Sequence, residues 1–537
     1  MLKNDSLYYP YPARRRAVFA RNGMVATSQP LAAQAGLDIL KRGGNAIDAA
    51  VATAACLTVL EPTSNGIGGD GFALVWTKGK LHGLNSSGPA PKSISIEAVK
   101  ALGYEEMPTY GFIPVTVPGI PAAWAELNNK FGKLPLIEVL QPAISYAQNG
   151  YPVSPVASYY WNRAYHNFKQ KTEGTQFEEW FKIFAPHNKT PKAGEMWSSA
   201  DHARTLELIG KTNAKAFYQG ELAEKIAAFS KKYNAFISYD DLASFKPEWV
   251  DPIGVDYHGY KVWEIPPNGQ GLVALLALNI AKELKMTGRD DVETLHKQIE
   301  SIKLAFADGQ KYITEHKDMR FTTDQLLSEA YASKRRALIK DTALEPEAGE
   351  PKSGGTVYLC AADNDGNMIS YIQSNYMGFG SGLVVPGTGI ALQNRGRNFS
   401  LDPNHDNHLA PNKRTYHTII PGFLTKGDLP VGPFGVMGGF MQPQGHMQVV
   451  MNAIDFNLNP QAALDAPRWR WDKGMEVSME MGFPQHIINA LIRKGHKIKV
   501  QPNTGGFGRG QIIWRDAESG VLVGGTESRT DGTVAAW

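Results

Sequence analysis

Residues 344–355 of the chain, LEPEAGEPKSGG, run directly into residues 356–374, TVYLCAADNDGNMISYIQS. The first segment is rich in Glu, Pro and Gly and lacks a hydrophobic period, which predicts an exposed, mobile linker. The second segment contains two β-prone stretches, Thr356–Ala362 and Met368–Ser374, on either side of the turn-forming residues 363–367. This pattern predicts a central β-hairpin in which a threonine begins a strand directly after a flexible segment.

Cleavage of the chain before Thr356 would give this residue unusual chemistry. Its new α-amino group would have a pKa of about 8, would be partly neutral near physiological pH, and would lie within reach of its own hydroxyl. Thr356 would then carry both the nucleophile and the general base of an acyl-transfer enzyme. Gly355 has no Cβ, which lets the scissile carbonyl bend toward Oγ during self-cleavage. From the pattern alone, however, a plain loop that enters a strand is the commoner explanation of Gly-Gly-Thr.

Acyl transfer also requires hydrogen-bond donors for the developing oxyanion. Gly438 and Gly439, in the sequence GVMGGF, could offer two adjacent backbone N–H groups, although on its own a structural turn is the slightly favoured explanation of the pair. The sequence contains neither a Gly-x-Ser-x-Gly elbow nor a His-Glu-x-x-His zinc helix, which excludes two common hydrolase classes. The 13 histidines show no ligand spacing, so we expect no metal and no other cofactor.

The N-terminal part of the chain predicts helices and strands around a glycine-dense turn. Residues 24–28 predict a short strand, Pro30–Lys41 a helix, and the very apolar sequence after Asn45 a second helix. The turn Asn65–Gly71 lacks the Lys-Ser/Thr of a phosphate-binding loop and leads into a strand, Phe72–Trp76, so a tight structural turn is favoured. Further helical patterns cover Pro121–Phe131, Ala203–Ile209, Gln219–Lys232, Val273–Leu284 and Val292–Ala307.

The composition is that of a soluble globular protein. Of the 537 residues, 43% are hydrophobic and 20% are charged, and a net charge of +3 gives no electrostatic reason to expect a nucleic-acid partner. Cys56 and Cys360 each lie in an apolar run and are expected to be buried thiols. The N-terminal residues have no apolar core, and the longest apolar stretch, Ala49–Leu60, suits a buried helix. We therefore expect no signal peptide, no contact with a membrane and a cytoplasmic location.

Short motifs spread over the chain carry a family resemblance. In chain order they are Gly43–Ala50, Gly66–Gly69, Val117–Gly119, Ala305–Asp308, Gly355–Thr356, Asp365–Asn367, Gly378–Gly382, Pro411–Arg414, Gly438–Gly439 and Ala466–Arg468. With these motifs the chain resembles the γ-glutamyltranspeptidases and their acylase-like relatives, including the cephalosporin-acylase-like and YwrD-type bacterial proteins. The resemblance runs from about residue 23 to the C-terminus. It strengthens the interpretation of Thr356 as a nucleophile.

The resemblance implies an α+β fold, the four-layer αββα sandwich of the N-terminal-nucleophile hydrolases. In that family one fold is assembled from two subunits that an autocleaved precursor supplies. Here the large subunit would be residues 1–355, ending in the linker 344–355, and the small subunit would be residues 356–537. The subunits would stay associated, and a homodimer of such heterodimers is compatible with the family.

Catalytic roles carry over by position. Cleavage falls between Gly355 and Thr356, and Thr356 becomes the nucleophile. Gly438 and Gly439 supply the oxyanion hole. Ser374 stands where the family has a threonine whose hydroxyl bonds to the nucleophile. The resemblance therefore implies that the catalytic chemistry of the family is retained.

The substrate-reading positions of the transpeptidases hold different residues in this chain. Ser87 replaces an arginine that pairs with the substrate α-carboxylate, and Asn398 replaces an aspartate that holds the α-ammonium. The other changed positions are Arg395 for a glutamine, Tyr376 for an asparagine, and His417 and Thr418 for a pair of serines. Between Phe399 and Pro411 the chain is also short, which predicts that the lid over the family's active site is absent.

Three functions remain open from the sequence. The first is a hydrolase of a small γ-glutamyl or related acyl amide, and the second is a transpeptidase that passes the acyl group to an amino acid or peptide. The third is a cleaved, non-catalytic homologue that binds a metabolite. Thr356 occurs together with both glycines, which favours an enzyme, and a site without a lid would admit water, which favours hydrolysis. We expect weak γ-glutamyl hydrolysis and equal or better cleavage of acyl amides that lack the amine.

Overall fold

The computed structural model describes residues 15–346 and 355–537. Within these ranges the α-helices are α1 Pro30–Lys41, α2 Ala46–Leu60, α3 Ile96–Ala101, α4 Ile120–Phe131, α5 Leu136–Asn149, α6 Pro155–Lys171, α7 Glu178–Phe184, α8 Ala200–Thr212, α9 Lys215–Gln219, α10 Glu221–Lys232, α11 Tyr239–Ala243, α12 Gly271–Ala281, α13 Val292–Tyr312, α14 Thr323–Leu326, α15 Glu329–Arg336, α16 Met441–Ile454, α17 Pro460–Asp465 and α18 Gln485–Arg493.

The strands in the same ranges are β1 Val18–Ala20, β2 Gly23–Thr27, β3 Asp70–Thr77, β4 Lys80–Ser86, β5 Tyr151–Pro152, β6 Met196–Trp197, β7 Glu248–Val250, β8 Ile253–Tyr257, β9 Tyr260–Glu264, β10 Gly355–Asp363, β11 Met368–Tyr376, β12 Val384–Val385, β13 Ile390–Ala391, β14 Gly422–Lys426, β15 Leu429–Met437, β16 Trp469–Lys473, β17 Glu476–Glu480, β18 Lys497–Gln501, β19 Arg509–Arg515, β20 Leu522–Thr526 and β21 Thr533–Ala536.

Two seven-stranded sheets form the centre of this mixed α and β fold. The first has the strand order β21-β2-β10-β11-β3-β4-β7, and the second has the order β1-β20-β19-β15-β14-β9-β8. Neighbouring strands in both sheets are antiparallel. The predicted hairpin is confirmed as β10 and β11, and it lies in the middle of the first sheet.

Three large hydrophobic clusters fill the molecule, and a smaller fourth one contains the buried side of α3. In the first, Val357 and Leu359 of β10 pack in one core with helices that include α1, α2, α4 and α5. In the second, Val436 of β15 shares a core with α12, α13 and α16. The third cluster joins Tyr358 and Cys360 of β10 to residues of β14, β15, β19 and β20 in the other sheet. Successive side chains of β10 therefore enter different cores, as the two-residue period of a strand requires.

The first core is built around α1 and α2. Asn45 and Asp48 form a capping box at the start of α2, with reciprocal hydrogen bonds of 3.0 and 3.2 Å. The two helices approach closely at Gly36, where an added Cβ would lie 2.2 Å from Oγ1 of Thr53. Every residue of α2 is buried, which confirms the prediction of a core helix. In the part of the chain that the structure describes, no helix is long and apolar enough to cross a membrane.

The predicted helices occur, but several of their ends lie elsewhere. The helix predicted over Gln219–Lys232 is wrong as a single element, because extended backbone at Gly220 (φ −143°, ψ −151°) separates α9 from α10. The helix predicted to begin at Val292 continues to Tyr312. Both cysteines are buried free thiols, as predicted.

The predicted linker 344–355 is ordered at its two ends. The N–H of Leu344 donates to Oε2 of Glu300 over 2.9 Å, and the carbonyl of Leu344 accepts from Nζ of Lys303 over 3.0 Å. At the other end Gly355 is already the first residue of β10. Residues 347–354 of the predicted linker lie outside the described residues. The described part of the linker is therefore anchored to α13 before the chain reaches the junction at residue 355.

Candidate active site

Thr356 lies at an irregularity between β10 and β11. Val357 is opposite Gln373 and Gly355 is opposite Tyr376, so the register shifts between these two pairs. Strand β11 has two residues in this interval, whereas β10 has only Thr356. Such a bulge bends the strand and redirects a side chain, and bulges occur frequently beside active sites.

The hydroxyl of Thr356 has a defined hydrogen bond. Its Oγ1 donates to Oγ of Ser374 over 3.2 Å, and the same Oγ accepts from the N–H of Tyr376 over 2.7 Å. Thr356 and Ser374 both have 0% of their surface exposed. The tight turn that brings the N–H of Tyr376 onto Ser374 has a left-handed residue, since φ of Tyr376 is 75°. The sequence-predicted nucleophile and its predicted partner therefore lie together.

The predicted oxyanion glycines form the connection between β15 and α16. Gly438 has φ of 134° and Gly439 has φ of 61°, which are conformations that residues with a Cβ rarely adopt. Nε2 of Gln270 holds this connection by donating to the carbonyl of Gly439 over 2.9 Å. Among the described residues, no hydrogen-bond acceptor is recorded for the N–H of Gly438 or of Gly439. Both N–H groups are therefore available to an external oxyanion.

Arg395 places a positive charge in the interior of this region. Its guanidinium is 1% exposed, lies 4.4 Å from the centre of the Tyr376 ring, and donates from Nη1 to Oγ1 of Thr418 over 2.7 Å. Nε and Nη2 have no hydrogen-bond partner within residues 15–346 and 355–537. Burial lowers the pKa of Arg395 to about 10, and the nearby Asp70 opposes that shift. A buried guanidinium with two unused donors is suited to bind a carboxylate.

Asp70 and His417 form a buried pair beside Arg395. Nε2 of His417 donates to Oδ2 of Asp70 over 3.0 Å, because Nδ1 accepts from the N–H of Ile419 over 3.3 Å and cannot carry the proton. Burial lowers the pKa of His417 well below its usual value, and the charge of Arg395 adds to this shift. Burial raises the pKa of Asp70 to about 7, against the lowering effects of Arg395 and of the N–H of Gly88. His417 is therefore neutral, and Asp70 is the acid of the pair.

Two predicted substrate-binding residues, Ser87 and Asn398, form side-chain hydrogen bonds to other residues of the protein. The hydroxyl of Ser87 donates to Oδ1 of Asn85 over 2.7 Å and accepts from Nδ2 of Asn268 over 3.2 Å. The half-buried Asn398 donates from Nδ2 to the carbonyl of Tyr416 over 3.0 Å. Neither residue contributes a charge that could replace the arginine or the aspartate expected at these positions in a transpeptidase.

Most of the other predicted site residues form one connected set, together with Gln270, which was not predicted. Hydrogen bonds and one cation–π contact link, in order, Thr356, Ser374, Tyr376, Arg395, Thr418, Gln270 and Gly439. His417 joins this set as the chain neighbour of Thr418 and through its bond to Asp70. Ser87 reaches the set indirectly, because Asn268 accepts a hydrogen bond from the backbone N–H of His417 over 2.8 Å.

Sequence reasoning did not identify Asp70, Gln270 or Gln393 as part of this region. Asp70 did carry a signal, since an acid that follows consecutive glycines at the start of a buried strand needs partners. Gln393 donates from Nε2 to Oδ2 of Asp70 over 3.0 Å. Gln270 and Gln393 are fully buried glutamines whose contacts come from distant parts of the chain, and nothing in their local sequence marks them.

Thr356 does not reach the surface of the part of the chain that the structure describes. Thr356 is fully buried, and Gly355 before it occupies the position opposite Tyr376. A surface groove of about 540 Å³ lies elsewhere, lined by residues 317–320 and 403–413.

One cluster of side chains outside this region has the composition of a metal site. His296, Glu300 and His496 are buried, with one potential ligand atom of each within 4.8 Å of the others. However, Nζ of Lys303 lies 2.8 Å from Oε1 of Glu300, and Nδ1 of His296 is 2.8 Å from Nε2 of His496. The ammonium and the direct histidine contact occupy the space that a cation would need. The cluster instead binds the backbone of residues 340–344.

Known proteins resemble this chain over almost its whole length. The profile of the Gamma-glutamyltranspeptidase family matches residues 32–537. The Glutathione hydrolase-like YwrD proenzyme of Bacillus subtilis (strain 168) is 36% identical, with 97% of this chain and 99% of the relative covered. The Oxamate amidohydrolase proenzyme of Klebsiella pneumoniae is 32% identical, with 96% and 98% covered.

A solved structure resembles the fold more closely still. The crystal structure of cephalosporin acylase from Bacillus halodurans has a TM-score of 0.97 and 65% sequence identity. The two structures match over 100% of this chain and 99% of the acylase chain. The similarity therefore includes both seven-stranded sheets and the junction at residues 355–356.

Proposed function

Because the chain belongs to the γ-glutamyltranspeptidase family, we propose that it is a self-processing amidohydrolase whose nucleophile is Thr356. It is an enzyme of the acylase and glutamyl-hydrolase type, and two of the similar proteins are named as proenzymes. The observation that carries the proposal for Thr356 is its buried hydroxyl, which a bulge and a hydrogen bond to Ser374 hold at the predicted junction.

The first reaction of the proposed enzyme is self-cleavage. Oγ of Thr356 attacks the carbonyl carbon of Gly355, the C–N bond breaks, and the acyl group of Gly355 moves to oxygen as an ester. Water then hydrolyses this ester, which leaves a carboxylate on Gly355 and a free α-amino group on Thr356. The chain thereby becomes a large subunit of residues 1–355 and a small subunit of residues 356–537.

Turnover of a substrate amide repeats the same attack. The α-amino group of Thr356 takes the proton from its own hydroxyl, Oγ adds to the substrate carbonyl, and the free N–H groups of Gly438 and Gly439 stabilise the oxyanion. Collapse of this intermediate releases an amine and leaves an acyl ester on Thr356. Water then attacks the ester and releases the acid. Ser374 acts as a positioning residue, because its contact is with the nucleophile.

The charges of the site support an acyl group that has a carboxylate and no amine. Arg395 offers two unused N–H donors, whereas Asn398 provides no charge for an ammonium. A bond to a charged group contributes about 1.5–3 kcal/mol, and a neutral one about 0.5–1.5 kcal/mol. One similar protein is named for oxamate, which is an amide that carries a carboxylate without an amine. Glutaryl amides have the same two features with a longer chain.

We also propose that the fold is the four-layer αββα sandwich of the N-terminal-nucleophile hydrolases. One of the three large hydrophobic clusters lies between the two large sheets, and each of the other two joins one sheet to a set of helices, which supports this arrangement. The cleaved subunits would stay associated, because β10 of the small subunit lies between β2 and β11 in one sheet. A homodimer of these heterodimers and a cytoplasmic location are further parts of the proposal.

The test is hydrolysis of a panel of anilides by the processed enzyme, with the products identified by mass spectrometry. The panel contains glutaryl, oxalyl, γ-glutamyl and uncharged pentanoyl anilides. We expect release of aniline and of the free acid, together with a transient acyl ester on the peptide that begins at Thr356. Thr356→Ser is the matched control that keeps a hydroxyl, and Thr356→Ala removes it. Release of aniline by Thr356→Ala at the wild-type rate would overturn the assignment of the nucleophile.

A further inference from the structure

The buried charges of the candidate site balance each other before any substrate binds. Arg395 is 1% exposed, and Asp70 and His417 are 0% exposed. Arg395 carries a positive charge, and Gln393 connects it to Asp70. Nε2 of Gln393 donates to Oδ2 of Asp70, and its Oε1 accepts from the backbone N–H of Arg395, each over 3.0 Å. His417 is neutral, because its Nδ1 accepts the N–H of Ile419. With Asp70 ionised, the three side chains together have a net charge of zero.

Hydrogen-bond donors on both oxygens of Asp70 favour its ionised form. Oδ2 accepts from Nε2 of Gln393 and from Nε2 of His417, each over 3.0 Å. Oδ1 accepts from the N–H of Gly88 over 3.2 Å. Complete burial works against the charge, because it removes the water that would otherwise solvate a carboxylate. Burial is the larger influence and raises the pKa of Asp70 to about 7, so a small change nearby can protonate it.

Other charged or titratable groups near this set do not change their charge near neutral pH. The positive charge of Arg414 lowers the pKa of Asp70, but Nη1 of Arg414 pairs with Oε1 of Glu248 over 2.8 Å. The phenols of Tyr218 and Tyr376 face Asp70 and Arg395 and stay neutral, because burial raises the pKa of each. Among the described residues around Arg395, Asp70 is thus the acid that can take up a proton from solvent near neutral pH.

We propose that Asp70 is the resident counter-ion of Arg395, and that a substrate carboxylate replaces it in this role while one proton binds to Asp70. The proposal rests on the proposed function, since it takes Arg395 as the group that binds the acyl carboxylate. It assigns a specificity role to Asp70, and it makes the binding of carboxylate-bearing acyl groups depend on pH. An uncharged acyl group of the same length binds without this proton.

The net charge of the buried site explains why Asp70 binds a proton when a substrate carboxylate enters. A carboxylate that enters beside Arg395 while Asp70 stays ionised leaves one uncompensated negative charge in a fully buried site, which is strongly unfavourable. A second anion nearby also raises the pKa of Asp70 above its value of about 7 in the empty site. The proton comes from solvent and is bound by Asp70. His417 is not the acceptor, because protonation at Nδ1 would break its bond with the N–H of Ile419.

The affinity for a carboxylate-bearing substrate therefore falls as the pH rises. Below about pH 7 Asp70 is largely protonated in the empty site, so a carboxylate-bearing substrate binds without further proton uptake. Above that pH, the protonated fraction of Asp70 falls about tenfold for each pH unit. The affinity for a carboxylate-bearing substrate falls in the same proportion. The substrate carboxylate itself stays ionised over this range. Titration of the α-amino group of Thr356 affects all substrates alike.

The experiment measures kcat/KM of the processed enzyme for glutaryl anilide and for pentanoyl anilide between pH 6 and 9. The ratio of the two values cancels the titration of Thr356, which is common to both substrates. We expect this ratio to fall about tenfold per pH unit above pH 7.5 in the wild type. In Asp70→Asn, which cannot ionise, we expect a ratio that changes less than about twofold over the same range. A denaturing gel confirms that each variant is processed.

A flat ratio in the wild type would overturn the proposal, and an equal slope in Asp70→Asn would assign the proton to another group. If the wild type hydrolysed neither anilide at any pH, the proposed function itself would fail. Should Asp70→Asn not fold, calorimetry on the wild type is decisive. Binding of 5-oxohexanoate, a ketone that resembles the glutaryl group and cannot be hydrolysed, is measured at pH 8 in buffers of different ionisation enthalpy. We expect uptake of close to one proton, and no uptake would contradict the role of Asp70.

Discussion

Thr356 and Ser374 lie across a bulge between β10 and β11, and Oγ1 of Thr356 donates a 3.2 Å hydrogen bond to Oγ of Ser374. The acceptor is itself fixed by the N–H of Tyr376, 2.7 Å away. This pair of bonds determines the direction of the Thr356 hydroxyl before the chain is cut. The attacking oxygen of the proposed self-cleavage is therefore oriented by the C-terminal end of β11.

Loss of the Ser374 hydroxyl should slow self-cleavage without preventing it. Ser374→Ala removes the acceptor of both the Thr356 hydroxyl and the Tyr376 N–H, but only the first of these bonds involves the nucleophile. A neutral bond contributes about 0.5–1.5 kcal/mol, so we expect a rate roughly 2- to 12-fold lower. The rate is measured from the time course of precursor loss on a denaturing gel. Ser374→Thr keeps the hydroxyl and serves as the control, with a rate close to the wild type. Cleavage of Ser374→Ala at the wild-type rate would mean that the bond plays no part in positioning.

The products of self-cleavage provide a second prediction. Purified wild-type protein should separate on a denaturing gel into fragments of residues 1–355 and 356–537, and these should elute together under native conditions. Thr356→Ala should remain one chain, because it has no oxygen for the attack, whereas Thr356→Ser should still be cut. Sequencing of the smaller fragment tests the position directly. A first residue other than Thr356 would place the junction elsewhere.

Local sequence was sufficient for the elements that local interactions determine. The capping box of Asn45 and Asp48 starts α2 where the sequence predicts a helix, and the hairpin of β10 and β11 follows from its turn residues. The predicted helix Gln219–Lys232 failed at Gly220, where the missing side chain leaves extended backbone as accessible as helix. The sequence alone does not show whether a single glycine inside an amphipathic pattern has extended or helical backbone.

The interior of the candidate site could be predicted only in part. Thr356 and the two glycines have local signatures, but the pair of Asp70 and His417 joins residues 347 positions apart in the chain. Its partners become visible only when β3 is placed beside β11 in the first sheet. The order of strands in a sheet depends on long-range pairing, which a single sequence does not encode in any short pattern.

Substitution of the oxyanion glycines gives a third prediction. Gly438→Val puts a side chain on backbone with φ of 134° and so shifts the N–H groups that are proposed to bind the oxyanion. Loss of one such donor typically lowers kcat about 100- to 1000-fold, and we expect a loss of that size for anilide hydrolysis. Gly427→Ala is the matched control, since its φ of 56° is also left-handed but an added Cβ meets nothing within 4 Å. Near-normal kcat in Gly438→Val would mean that the two glycines form a structural turn and do not bind the oxyanion.

The buried ion pair of Glu300 and Lys303 gives a prediction about stability. Both side chains are 0% exposed, 2.8 Å apart, and both bind the backbone of Leu344. Glu300→Gln leaves the ammonium of Lys303 without a counter-charge, which typically costs about 3–5 kcal/mol. We expect a clearly lower midpoint of thermal unfolding, measured in the uncut Thr356→Ala background so that one chain is compared with one chain.

A solvent-exposed pair provides the control for Glu300. Glu207 and Lys211 lie one helical turn apart with 2.6 Å between Oε1 and Nζ, and their side chains are 47% and 62% exposed. Because water and salt screen such a pair, Glu207→Gln should leave the unfolding midpoint almost unchanged. Equal midpoints for the two variants would show that the buried pair is not needed to hold the end of the large subunit.

The last prediction concerns the acyl group. Arg395 has two unused N–H donors, and Asn398, at the position where the transpeptidases bind the ammonium, has no charge. We therefore expect kcat/KM for glutaryl anilide to equal or exceed that for γ-glutamyl anilide. Arg395→Gln should lower kcat/KM for glutaryl anilide by roughly 10- to 150-fold, because a bond to a charged group contributes about 1.5–3 kcal/mol. Pentanoyl anilide, which has no carboxylate, should lose much less in the same variant.

Arg397→Gln is the matched control for this substitution. Arg397 is two residues from Arg395, but its Nη2 pairs with Oε2 of Glu106 over 2.9 Å, so its loss should leave the discrimination between the two anilides intact. Steady-state kinetics on the three anilides at one pH separates the outcomes. If kcat/KM favoured the γ-glutamyl compound by roughly a hundredfold, which corresponds to about 2.7 kcal/mol, the site would have to stabilise an ammonium. Asp70 would then be the acid to test, since it is the ionisable carboxylate beside Arg395.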